Sequence, residues 1–162
     1  MKRLILMRHA KSDWNHPSLS DHDRPLNLRG RKAAPVMGEW LRAAGYAPDL
    51  ALVSSAIRTQ ETFRLSGLTC PAQTVATLYN ARAEAILKAV QGADETVETL
   101  IVIAHQPGMQ ETANRLLPEW EVDEYPTAKA AILSFDSPSW FEVSWGDGRL
   151  VMEMAPKLLP KV

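Results

Sequence analysis

Cysteine is nearly absent from this chain. With Cys70 alone, no intramolecular disulfide can form and no multi-cysteine metal site can be built, a usage that suits a reducing compartment. Long hydrophobic runs are missing as well. Lys2 and Arg3 followed by Leu4-Ile5-Leu6-Met7 have the outline of a signal-peptide start, but Arg8 ends the run far short of a secretory or membrane-crossing core. The chain is therefore expected to remain cytoplasmic, with no membrane partner. There is no continuous basic stripe interleaved with aromatics, and aromatic residues make up only 7% of the chain. Nucleic acid is thus not an expected partner. Internal repeats and low-complexity segments are also lacking.

What remains is the composition of one globular domain. At 162 residues, 46% hydrophobic and 23% charged, the chain can bury a sizeable core but has no length for a second lobe, so residues 1–162 are read as a single domain. The net charge of -1 hides an asymmetry: residues 1–64 carry 11 of the 18 Lys+Arg but 6 of the 19 Asp+Glu. Most of the polar motifs fall in that positive part, which suits local capture of an anion.

Short apolar runs alternate with stretches of helical period, the pattern of βα units and a largely parallel sheet. Strands are predicted at Arg3 to Met7, Leu50 to Ser54, Thr74 to Leu78, Leu100 to Ala104 and Ala130 to Phe135. Phe141 to Trp145, Gly146-Asp147-Gly148 and Leu150 to Met154 read as a hairpin at one sheet edge. Helices are predicted at Asn27 to Ala44, Ala56 to Leu65, Arg82 to Val90 and Gly108 to Leu117. Asn27 is the expected N-cap of the first and Gly45 its stop. Pro35 predicts a kink there or a later start. Ser54 or Ser55 is expected to cap the second helix, placing Arg58 in its first turn. Trp14 is expected at the site entrance, Trp40 in helix core, and Trp120, Trp140 and Trp145 packed at the sheet edge.

Parallel strands give this pattern its chemistry. Three strand ends would deliver Arg8-His9, Ser55 with Arg58, and His105-Gln106 to one edge of the sheet, where open α/β sheets bind ligands. Arg58 at a helix start adds free backbone N–H groups and the positive end of the helix dipole. Guanidinium groups match phosphate oxygens bidentately, so two arginines and two histidines make a phosphate cage. Taken singly, each residue has a plainer reading: a strand-end dipeptide, a core histidine, or an Arg58–Glu61 surface pair.

Three segments resemble the signatures of the histidine phosphatase (phosphoglycerate mutase-like) superfamily: Leu6-Met7-Arg8-His9-Ala10-Lys11-Ser12-Asp13-Trp14-Asn15, Ser54-Ser55-Ala56-Ile57-Arg58-Thr59 and Val102-Ile103-Ala104-His105-Gln106-Pro107. The resemblance spans residues 3 to about 135, and with Asp21-His22-Asp23-Arg24-Pro25-Leu26 it is nearest to the SixA-type phosphohistidine phosphatases. It implies a three-layer α/β/α fold around a mainly parallel central sheet. It further implies that His9 takes the phosphoryl group as a phosphohistidine intermediate, while Arg8, Arg58 and His105 neutralise the phosphate oxygens. Ser12 and Asn15 are further phosphate or entrance contacts on this reading. No metal or other cofactor is expected, because the arginines supply positive charge. Ala10 stands where glycine is usual and predicts an ordinary negative φ.

The general acid that many members carry has no clear counterpart here. Glu84 is one candidate, with Asp21 or Asp23 as others; the two aspartates are otherwise expected to hold their loop and pair with Arg24. His16 and His22 are read as solvated or supporting. A phosphohistidine leaves as neutral imidazole once its other ring nitrogen is protonated, the imidazole pKa being about 6.5. A weak acid position therefore favours P–N substrates. No connecting segment is long enough for a lid over a small metabolite, which favours a phosphorylated protein as substrate. The alternatives are a small-molecule phosphomonoesterase and a non-catalytic domain binding phosphorylated partners. A mutase would need a second phosphate site and a closing lid.

Overall fold

A computed structural model describes residues 1–159. Its six-stranded sheet is built from β1 (Lys2–Arg8), β2 (Leu50–Ser54), β3 (Ala72–Val75), β4 (Thr99–Ala104), β5 (Ala130–Phe135) and β6 (Arg149–Met154) in the order β3-β2-β4-β1-β5-β6. β1, β2, β3 and β4 are parallel, and β5 runs against both β1 and β6. The mainly parallel α/β/α expectation therefore describes the molecule.

Period-two alternation along the buried strands sorts side chains to two cores. Leu4, Leu6, Leu100 and Val102 face Ile86, Leu87 and Val90 of α3 (Ala83–Gln91), together with Met109, Ala113 and Leu116 of α4 (Gly108–Leu116). Ile5, Met7, Ile101 and Ile103 face Ala34, Met37 and Leu41 of α1 (Leu28–Ala43) and the flank of α2 (Ile57–Ser66). Asn27 caps α1 by accepting from the Gly30 N–H at 2.9 Å, and Gly45 follows the helix at φ 84°. Gly30 is required by a close approach: a Cβ there would lie 2.1 Å from the Lys11 carbonyl oxygen. That contact presses α1 against the segment leaving β1.

Several sequence expectations need correction. α1 starts at Leu28 and passes through Pro35, so the later start is not found. The segment 74–78 is only half strand, since β3 ends at Val75 and a 3-10 turn takes Ala76–Leu78. The hairpin does not form: Trp140–Glu142 is a 3-10 turn, and β6 pairs with β5 instead. Gly146 N–H and Gly148 N–H bond to the Arg115 and Leu116 carbonyls at the end of α4, which fastens the turn to a helix. Trp140 is wholly buried and donates to the Val97 carbonyl at 2.7 Å, whereas Trp120 is 61% exposed. No described helix is long and apolar enough to cross a membrane.

Candidate active site

The carboxyl ends of β1, β2 and β4 open into one cavity of about 230 Å³. It is lined by Arg8, His9, Ser12, Trp14, Arg58, His105 and Gln106, all expected there from the sequence, and by Lys11, Arg24, Asn80 and Thr127.

His9 is held from three sides. Its backbone N–H bonds the Ala104 carbonyl at 3.1 Å, its carbonyl accepts from Ala128, and the next N–H, of Ala10, bonds Thr62 Oγ1 at 2.9 Å. Thr62 in turn donates to the Arg58 carbonyl at 2.7 Å, so α2 carries both the support of the His9 segment and Arg58. Ala10 is not among the positive-φ residues, as its side chain requires.

The His9 ring is 2.7 Å through Nδ1 from the Ala10 carbonyl. A carbonyl only accepts, so Nδ1 bears the proton and Nε2 keeps its lone pair. Burial pushes His9 down to about 3, with His105, Arg58 and Arg8 adding repulsion against the bond to Ala10 that works upward. The ring is therefore a neutral base at ordinary pH. His105 lies with its ring centroid 5.4 Å from that of His9, and is lowered to about 4 by burial first and Arg58 second.

The arginines are packed and directed. Arg58 is 3% exposed; its NH1 donates to the Asp21 carbonyl at 2.7 Å, and its NH2 reaches Asp21 Oδ2 at 3.1 Å and His105 Nδ1 at 3.2 Å. Arg8 NH1 donates to the Tyr125 carbonyl at 3.0 Å. Arg24 stacks 3.6 Å over the Trp14 ring and donates to Ser12 Oγ and to Asp21 Oδ1. In all three the Nε–H is buried without a partner. Buried donors at one cavity are what an oxyanion needs.

Other sequence candidates fall elsewhere. Asn15 is exposed and does not line the cavity; its N–H turns back to Asp13 Oδ1. Glu84 is exposed and pairs with Arg115 at 2.7 Å, so the structure does not bring this candidate acid to the cavity. Asp23 is exposed, beside the ring of His22. Asp21 bonds Tyr79 Oη at 2.6 Å, and this bond first, with Arg24 and Arg58 after it, holds its carboxyl well below the usual range. It is ionised and cannot donate a proton. The Arg58–Glu61 pair is replaced by Arg58–Asp21, while Glu61 accepts from the Leu26 N–H.

Ser54 and Ser55 are not the cap of α2, which begins after Ala56 with no side-chain cap. Ser54 Oγ instead meets His105 Nε2 at 2.8 Å, and Ser55 Oγ meets His22 Nε2 at 2.9 Å. Arg24 was legible only as a partner of the aspartates. The bridge between Ser12 and Leu26 folds its loop back over the cavity, a pairing with no local sequence signal.

Residues 4–80 match the family model described as histidine phosphatase superfamily (branch 1). The chain belongs to the histidine phosphatase superfamily. Among relatives of this superfamily member is an uncharacterized protein of Mycobacterium tuberculosis, 32% identical over 160 residues and covering 93% of this chain and all of the relative. Among solved structures, a candidate phosphohistidine phosphatase SixA of Nakamurella multipartitia has a TM-score of 0.88 at 26% identity, over 96% of both chains. A second such SixA, from Agrobacterium tumefaciens, has a TM-score of 0.81 at 27% identity, over 96% of this chain and 98% of that one. Within the superfamily fold, the described residues include no group of His, Cys, Asp and Glu able to hold a metal ion.

Proposed function

We propose that this protein is a phosphatase that removes the phosphoryl group from phosphohistidine on another protein, through a phosphohistidine intermediate at His9. The observation that carries the reading is the His9 bond through Nδ1 to the Ala10 carbonyl, which leaves Nε2 as the nucleophile in a cavity lined by Arg8, Arg58 and His105. Phosphoryl transfer asks chiefly for in-line placement and neutralised oxygens. These four residues supply both.

The P–N substrate class follows from proton accounting. Phosphohistidine protonated at its other ring nitrogen bears an imidazolium; when His9 Nε2 bonds to phosphorus and the substrate P–N bond breaks, the substrate leaves as neutral imidazole. His9 with its Nδ1–H becomes the same phospho-imidazolium, its new charge facing the Ala10 carbonyl. No proton has to be delivered to the leaving group. Water then bonds to phosphorus, His9 Nε2 recovers its electron pair, and phosphate departs with the water's proton lost to solvent. No Asp or Glu lines the cavity, an arrangement that suits this leaving group and not an alkoxide. The names of the SixA neighbours support the same class.

The test is phosphate release from a phosphohistidine-bearing protein and from p-nitrophenyl phosphate under the same conditions. Faster turnover of phosphohistidine is expected; preference for the ester would make the protein a small-molecule phosphomonoesterase, and no turnover of either would leave a binding domain.

A further inference from the structure

His105 is bonded at both ring nitrogens by groups whose demands conflict. Arg58 NH2 lies 3.2 Å from Nδ1, and a guanidinium only donates, so Nδ1 holds a lone pair. The proton of the neutral ring is then on Nε2, donated to Ser54 Oγ at 2.8 Å. Ser54 is wholly buried, and its Oγ also accepts from the Ala56 N–H at 3.4 Å. Its own hydroxyl proton has no acceptor among the described residues other than Nε2, which in this tautomer carries a proton. Arg58 thus calls for one tautomer of His105 and the Ser54 hydroxyl for the other.

A phosphoryl oxygen changes the balance. It offers only lone pairs, so His105 can hold it only by donating from Nδ1, and in that tautomer Nε2 is an acceptor. We propose that Ser54 is a positioning residue that switches His105 between tautomers as a phosphoryl group enters. An oxygen seated between Arg58 and His105 takes the Arg58 N–H, the ring exchanges Nε2–H for Nδ1–H through solvent, and the Ser54 hydroxyl turns from acceptor to donor at Nε2. The ring stays neutral and the protein's proton count is unchanged. Ser54 Oγ is the hydrogen-bond partner of Nε2, and a hydroxyl is the smallest side-chain group that both accepts and donates without charge. The mechanism rests on the proposed phosphoryl site and adds to it a role for a residue outside the cavity lining.

The experiment is ¹H–¹⁵N correlation of the imidazoles in the full ¹⁵N-histidine-labelled protein at pH 7, titrated with tungstate as the phosphoryl mimic. Without tungstate, His105 is expected to show unprotonated Nδ1 and protonated Nε2. At saturation the two are expected to exchange roles. Ser54→Ala should leave tungstate bound about fivefold more weakly, one neutral hydrogen bond's worth, with the complete exchange lost; Ser54→Thr should restore it. If tungstate shifts the His9 signals while wild-type His105 keeps its proton on Nε2, the switch is overturned and the phosphoryl site stands. If tungstate shifts neither histidine, both fall together. The wild-type titration decides the matter even where a Ser54 variant does not fold.

Discussion

Asp21 grips Arg58 twice, by its backbone carbonyl at 2.7 Å from NH1 and by Oδ2 at 3.1 Å from NH2. The same carboxylate holds Arg24 through Oδ1 at 3.0 Å, so one residue aims two of the three arginines at the cavity. Asp21 is therefore the hub of the loop that covers the site, although it does not line the cavity itself.

Removing that carboxylate should loosen both guanidinium groups. Asp21→Ala is expected to lower kcat/KM for phosphohistidine by roughly 10- to 100-fold through lost placement. Because Asp21 is 44% exposed, the stability loss is expected to stay near 1–2 kcal/mol, below that for breaking a fully buried pair. Kinetics alongside urea unfolding check both. An acid role for Asp21 would instead show as a kcat loss confined to ester substrates.

Much of this site is legible in the sequence, and the reason is geometric. Arg8-His9, Ser54-Ser55 and His105 sit where apolar strand runs stop, and parallel β1, β2 and β4 bring their carboxyl ends together. Arg24, Tyr79 and Asn80 were not read as site residues because they depend on long-range closure. Arg24 needs the Ser12–Leu26 bridge, and Asn80 sits at φ 51° after a 3-10 turn that cut short the expected strand. The false hairpin has the same cause: Gly146-Asp147-Gly148 has good turn chemistry, but the end of α4 supplies stronger partners for its N–H groups. Local turn signals do not reveal which element the turn meets.

Trp14 is 76% exposed and has Arg24 stacked 3.6 Å over its ring at the mouth of the cavity. A planar leaving group can stack on the indole, whereas the amine of phosphoramidate cannot. Trp14→Ala is expected to lower kcat/KM for phosphohistidine about 3- to 10-fold, the usual worth of an aromatic pair. Turnover of phosphoramidate should change little, and Trp14→Phe should recover part of the loss. An equal loss on both substrates would assign Trp14 to holding Arg24.

His9 and His105 carry a pH signature in stability. Their values in the fold, about 3 and about 4, lie below the unfolded value of about 6.5. From about pH 6.5 down toward pH 4 the unfolded chain binds more protons, so their contribution is complete above pH 6.5 and is lost as pH falls. Unfolding free energy at pH 5 is expected to be lower than at pH 7, with a limiting slope of about 1.4 kcal/mol per pH unit for each histidine. Replacing both by Asn should flatten the profile between those pH values. An unchanged slope would mean that neither ring is held neutral by burial.

A Cβ on Gly38 would lie 1.9 Å from the Ser66 carbonyl oxygen, where α1 crosses the end of α2. Gly38→Ala is expected to cost about 1–3 kcal/mol through overpacking. Because Arg58 and Thr62 ride on α2, kcat should fall with it. Chemical denaturation of the variant measures the first effect and steady-state kinetics the second.

The proposed function turns on transfer of the phosphoryl group to His9 Nε2. It is tested most directly by rapid quench of the enzyme with a phosphohistidine-bearing protein at neutral pH, alkaline digestion that preserves P–N bonds, and mass spectrometry of the peptide containing residue 9, in wild type and His9→Ala. A phosphoryl adduct on His9 that forms and decays within turnover is expected, with no turnover in the variant. Phosphate release by His9→Ala at the wild-type rate, or an adduct on any other residue, would contradict it.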